Sequence, residues 1–150
     1  MQDLKERLAI QMRRAFFDCL AEKLAKDDKQ EAIEWLIPLH KELGDRFKAL
    51  LPSKQEEISE YIDNELFAQQ LRSHAYGSDQ LGPLINFTWS LLRQACAPDM
   101  DDDVNQAYNI VSESLVPGAA FHTVVPLFLD CAHKQIDIIV ARIHEINNQR

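Results

Sequence analysis

Asp130, His133 and Asp137 are the residues of this chain best spaced for chemistry, falling three and four positions apart and therefore on one face of a helix. Two carboxylates and an imidazole in that pattern resemble half of a carboxylate-bundle metal site. The complete site takes an acid-x-x-His pair from each of two helices plus two further carboxylates, and no second acid-x-x-His pair occurs in the sequence. The expected role of the three is therefore side-chain pairing at i to i+4 on a solvated face, with a metal as the competing reading.

A second cluster, "CAPDMDDD" from Cys96 to Asp103, has the acid density of a calcium loop. An EF-hand needs oxygens at positions 1, 3 and 5, glycine at 6 and a bidentate Glu at 12. Counting from Asp99 puts Val104 sixth and Ile110 twelfth; counting from Asp101 puts Gln106 and Ser112 there. Both registers fail. The same residues suit a helix boundary, with Pro98 ending one helix and Asp101 or its neighbours capping the amides of the next. Nucleophilic chemistry has less support, since there is neither a G-x-S-x-G elbow nor a glycine-rich phosphate loop. His40, His74, His122, His133 and His144 are scattered, and His40 lies on an apolar stripe where a satisfied core histidine is expected. Nothing in the sequence calls for a cofactor.

The elements that must hold these groups are helical. In 150 residues there are 4 glycines and 6 prolines, few for a chain that turns often. One stripe runs through Leu4, Leu8, Met12, Ala15, Phe16, Cys19, Leu20 and Leu24, a second through Ile33, Leu36, Ile37, His40, Leu43, Phe47 and Leu50. Both should be buried. Arg13 and Arg14 read as part of a solvated helix face. Pro38 interrupts the second stripe and predicts a kink, or a helix that begins near Leu36. "SKQE" at Ser53 to Glu56 reads as a capping box opening a third helix, which Asp63 and Asn64 restart or bend and Gly77 ends.

A fourth helix from Ser78 or Asp79 carries Leu81, Leu84, Ile85, Thr88, Leu91, Leu92 and Ala95, is apolar on more than one side, and should be central. A fifth follows through Val104, Ala107, Tyr108, Val111 and Leu115 to the "VPG" breaker at Val116 to Gly118. The last carries Leu129, Ala132, Ile136, Ile139, Val140, Ile143 and Ile146, with Thr123 as cap and Pro126 in the first turn. The expected fold is all-α: one domain, residues 1–150, an antiparallel helical bundle of about six helices kinked at Pro38.

The balance of 24 acidic against 16 basic side chains, a net charge of -8, opposes nucleic acid and anionic membrane as partners. Three cysteines without CxxC spacing suit free thiols in a reducing compartment, and the charged N-terminus is no secretory signal. A cytoplasmic location is expected. The aromatics, Trp35, Phe47, Phe67, Trp89 and Phe128, should be core, with Trp35 the best candidate for a partner anchor because it lies beside its stripe.

Four blocks, "RRAFFDCLAEKLAKDDKQEAIEWLIPLHKEL", "EISEYIDNELFAQQL", "QACAPDMDDDV" and "LFLDCAHKQIDIIVARI", resemble in the same order segments of the T-complex protein 11 family. The positions that carry the resemblance are Phe17 and Asp18; Ile62, Asp63, Leu66, Gln69 and Gln70; Cys96, Ala97 and Pro98; and Ile136 with Asp137. The resemblance implies a regulatory or scaffolding protein without enzymatic activity, tied to cyclic-AMP and protein-kinase A signalling, and it carries no catalytic residues over. Family members look longer, so this chain would match their N-terminal portion. The resulting expectation is a non-enzymatic interaction module with a protein partner. The alternative is an enzyme or small-ligand or metal-binding bundle whose site forms only in three dimensions, and a homo-oligomer built through the last helix is a third reading.

Overall fold

The computed structural model describes residues 2–25, 30–73, 78–96, 98–115 and 121–148. They form α1 (Gln2–Ala25), α2 (Gln30–Leu50), α3 (Gln55–Tyr61), α4 (Asn64–Arg72), α5 (Ser78–Ala95), α6 (Asp101–Ser114) and α7 (Phe121–Asn148), with 3-10 turns at Pro52–Lys54 and Pro98–Met100. No strand occurs among the described residues, and the β-branched "IDIIV" lies inside α7. The fold is all-α, and no described helix is long and apolar enough to cross a membrane.

Contacts between elements set the directions of the bundle. Phe16 stacks on Trp35 and Lys23 meets Glu31, so α1 and α2 run antiparallel. His40 with Asn64, and Glu34 with Arg72, give the same relation for α2 and α4; Asn86 with Tyr108, and Arg93 with Asn105, give it for α5 and α6. By contrast, Leu39 meets His133 and Arg46 meets Asp137, so α2 and α7 run the same way.

The element at the centre is α7, which packs on α1, α2, α5 and α6. Sequence placed α5 there. That helix is well buried, through Leu81, Leu84, Ile85, Thr88, Trp89, Leu91 and Leu92, but α7 adds Val124, Val125, Phe128, Leu129, Ala132, Ile136 and Ile139 and bridges both halves. Burying each large apolar side chain contributes about 1.5–3 kcal/mol, so these rows hold the bundle together. Trp89 lies fully buried at their junction and donates its indole N–H to the Val104 carbonyl at 2.9 Å. Phe47, Phe67 and Phe128 are core residues as expected.

Local details depart from the sequence reading where a boundary residue had two uses. The exception is the restart read at Asp63 and Asn64, which is found: Ile62 leaves helical geometry and the Asp63 carboxylate accepts from the Leu66 amide at 3.1 Å to start α4 as a separate helix. Ser53 lies in the 3-10 turn and makes no capping box; α3 starts after Lys54 without a side-chain cap. The acids at Asp101 to Asp103 occupy the first turn of α6, favourable for its dipole, yet Met100 is the cap residue and no side chain closes it. The second helix begins at Gln30, not Leu36, and continues through Pro38, whose ring removes the bond to the Glu34 carbonyl. Pro126 lies six residues into α7, beyond its first turn. The stops at Gly77 and Val116 to Gly118, and the cap role of Thr123, fall outside what the described residues and side chains cover.

A glycine sits mid-helix at Gly44 despite a propensity cost of about 1 kcal/mol. A methyl there would stand 3.2 Å from Ile62 Cγ2, so its absence lets the α3–α4 junction close onto α2. The largest departure concerns α1. Leu20 and Leu24 are fully buried, but Leu4, Leu8 and Met12 are 58%, 50% and 71% exposed, and Ala15 and Cys19 are exposed too. Ile143 and Ile146 at the far end of α7 are likewise exposed. The stripes read as buried from spacing run past the edge of the core.

Candidate functional site

Asp130, His133 and Asp137 do share a face of α7, and that face meets α1 and α2. The Arg13 guanidinium donates to Asp130 Oδ1 at 3.0 Å, to the Asp130 carbonyl at 3.3 Å and to Asp137 Oδ2 at 2.7 Å. From α2, Arg46 donates to Asp137 Oδ1 at 2.5 Å and to His133 Nδ1 at 3.1 Å. His133 Nε2 lies 3.2 Å from the Leu39 carbonyl. A guanidinium only donates and a carbonyl only accepts, so the imidazole is neutral with its proton on Nε2.

The electrostatics agree with that assignment. Burial is the main force holding the His133 pKa below its ordinary value, with Arg46 and Arg13 adding to it against the Leu39 carbonyl and Glu42. Burial on its own would raise Asp137, but hydrogen bonds and charge from Arg13 and Arg46 outweigh it and leave the carboxyl below the usual range. Both oxygens of Asp137 and both nitrogens of His133 are therefore engaged. A cation would have to displace two guanidinium groups, and no cluster of three or more His, Cys, Asp or Glu side chains among the described residues is disposed to hold a metal. The expected i to i+4 pairing on a solvated face is replaced by bonds between helices. Arg13, read as solvated, is half-buried in this network.

Beside the network a groove of about 590 Å³ opens between α1 and α7, lined by Ala9, Ile10, Arg13, Arg14, Asp130, Lys134, Asp137, Ile138 and Ala141. Its surface is mostly apolar with cations and anions at the rim. A second cleft of about 190 Å³ lies between α4 and α5, lined in part by His40, Tyr61, Asp63, Phe67 and Gln70. There His40 is buried, contacts Asn64 Oδ1 through Nδ1 at 3.0 Å and stacks on Phe67 with ring centres 3.9 Å apart. Burial pushes its pKa down to about 4, against the raising effects of Asn64 and Asp63. It is the satisfied core histidine that its stripe suggested.

A family model for T-complex protein 11 matches residues 1–145. The chain belongs to the T-complex protein 11 family. No curated protein and no solved structure matches it.

The positions that carried the resemblance to this family turn out to be mainly architectural. Phe17 packs against the core beside the ion-pair network, while Asp18 is exposed. Ile62 fills the space over Gly44, and Asp63 caps α4 one turn ahead of exposed Leu66. Backbone carbonyls of Gln69 and Gln70 accept from Ser73. The Cys96 thiol donates to Asp101 Oδ1 at 3.3 Å; Pro98 opens the 3-10 turn, and Ala97 lies outside the described residues. Burial raises the Cys96 pKa, with Asp101 adding to it, which keeps the thiol protonated.

The first and last blocks meet in space: Arg13 of one binds Asp130 and Asp137 of the other. Sequence spacing found the acids but not their partners, since nothing local marks Arg13 or Arg46 as their counter-ions. Ile10 and Ile138 were missed because each lies off the apolar stripe of its own helix, and a single apolar residue outside a stripe carries no periodic signal. Trp35, the suggested anchor, is occupied within the fold, stacked on Phe16 and carrying the Lys23 ammonium 4.9 Å from its ring centre.

Proposed function

We propose that this domain is a non-enzymatic protein-interaction module that receives an amphipathic helix in the α1/α7 groove. The observation that carries the reading is the groove itself: Ile10 and Ile138 are 60% and 41% exposed along it, with Arg14 and Lys134 at its rim. Apolar residues at helical spacing on a partner would fill the floor, and acidic residues on its flank would meet those two cations. A hydrophobic strip left in water at the edge of a network that rigidly positions both walls is the ordinary form of a docking surface. The proposed role is regulatory and cytoplasmic; membership of the T-complex protein 11 family supports the regulatory part, and cyclic-AMP and protein-kinase A signalling is the pathway that the resemblance implies.

Installing a photo-crosslinking side chain at Lys134 and irradiating in native lysate should give one dominant adduct carrying a helical acidic segment. The double variant Ile10→Glu/Ile138→Glu should lose it while keeping its circular dichroism. An adduct of equal yield in both proteins, or turnover in a substrate screen, overturns the reading. A second reading, a small apolar ligand in place of a helix, rests on the volume of about 590 Å³, which lies within the range of small-molecule sites. Engagement of both Asp137 oxygens and of His133 leaves that site without a free base from the trio.

A further inference from the structure

The outward face of α1, opposite the side that Phe17, Leu20 and Leu24 bury, carries Lys5, Leu8, Met12, Ala15, Cys19 and Glu22 at successive spacings of three, four, three, four and three. All six are exposed. Alternating three and four is the repeat that keeps one helix in continuous contact with another along its length. On this face the repeat begins with a cation, ends with an anion, and is apolar or small between.

We propose that two copies of the chain associate through this face, with their α1 helices antiparallel about a dyad between Met12 and Ala15. Reading the row against its own reverse puts Lys5 opposite Glu22, Leu8 opposite Cys19 and Met12 opposite Ala15. Every layer then joins a cation to an anion or a large side chain to a small one, which meets both the charge and the packing requirement of a helix pair. Parallel pairing would set Lys5 against Lys5 and Glu22 against Glu22. The contact is isologous, so it closes at two copies. Residues 5–22 extend about 27 Å at 1.5 Å per residue, and a single helix face of that length, about 10 Å wide, falls below the roughly 800 Å² per partner of a standard stable interface. The dimer therefore dissociates on dilution. This association is separate from the α1/α7 groove and does not depend on what binds there.

Sedimentation of the full chain across a wide concentration range tests it. The mass should rise from 17.3 kDa toward twice that value, and Met12→Glu should hold it at the monomer. Lys5→Glu and Glu22→Lys should each weaken the dimer on the order of ten-fold, and the double exchange should restore it. Leu8→Cys should form a covalent dimer with the partner copy's native Cys19 on mild oxidation, since a disulfide needs α-carbons within about 7 Å. A mass of 17.3 kDa at every concentration overturns the proposal, as does a dimer indifferent to these exchanges or a wild-type Cys19 to Cys19 disulfide.

Discussion

Asp137 is the residue at which three helices are tied, since Arg13 of α1 and Arg46 of α2 both bond its carboxylate. Exposed ion pairs contribute little, but here removal of one acid takes a bond from two half-buried guanidiniums at once, leaving Arg13 only Asp130 and Arg46 only His133. Asp137→Ala should lower unfolding free energy by about 1–3 kcal/mol in urea titration with an unchanged slope. Asp137→Asn should cost less, because it keeps one acceptor. His40 supplies a different test. Its folded pKa of about 4 lies below the ordinary 6.5, so the unfolded chain binds the proton more readily. Its share of stability is complete above pH 6.5 and is lost as pH falls toward 4, amounting to about 3 kcal/mol at the low end. Urea midpoints measured from pH 7 to 4 should fall, and His40→Gln should flatten that part of the decline. Gln135 is a third case: buried, with Oε1 unpartnered among the described residues. Gln135→Leu should raise stability by about 1 kcal/mol in the same titration.

Helix α4 shows how one element hangs on a short signal. Its nine residues are too few to be stable alone, so its start depends on Asp63 accepting the Leu66 amide and its position on Phe67 and Leu71 in the core. Asp63→Ala should cost about 1 kcal/mol and Asp63→Ser much less, read as shifts in thermal midpoint. The same element shows what was legible beforehand. Asp63 and Asn64 marked a break because short polar side chains compete with helical bonding, and that signal is local. Ser53 carried an equally good local signature, yet Pro52 leads into a 3-10 turn there and the capping box does not form. Helix existence and the inward rows of α2, α5 and α6 followed from periodicity. The partners of Asp130 and Asp137 did not, because ion pairs across 91, 117 and 124 residues leave no trace in spacing.

Across the whole molecule, periodicity indicates which face of a helix is apolar but not how far along its length another element reaches. That is why the α1 stripe looked buried from Leu4 onward while the core closes only around Phe17, Leu20 and Leu24. Stability should be distributed accordingly. Local opening needs little energy where few apolar contacts cover the backbone, and approaches the global unfolding energy where the core does. Amides of residues 8–12 in α1 and of 143–148 in α7, both flanked by exposed apolar side chains, should exchange with solvent by local opening in native-state hydrogen exchange. Those of Leu91, Leu92 and Ile136 should exchange only with global unfolding. The order has a further reading at low and high protein concentration. If the outward face of α1 is covered by a second copy, residues 8–19 should gain protection as concentration rises while residues 143–148 do not. Equal protection of both ends at all concentrations would leave the α1 face without its partner.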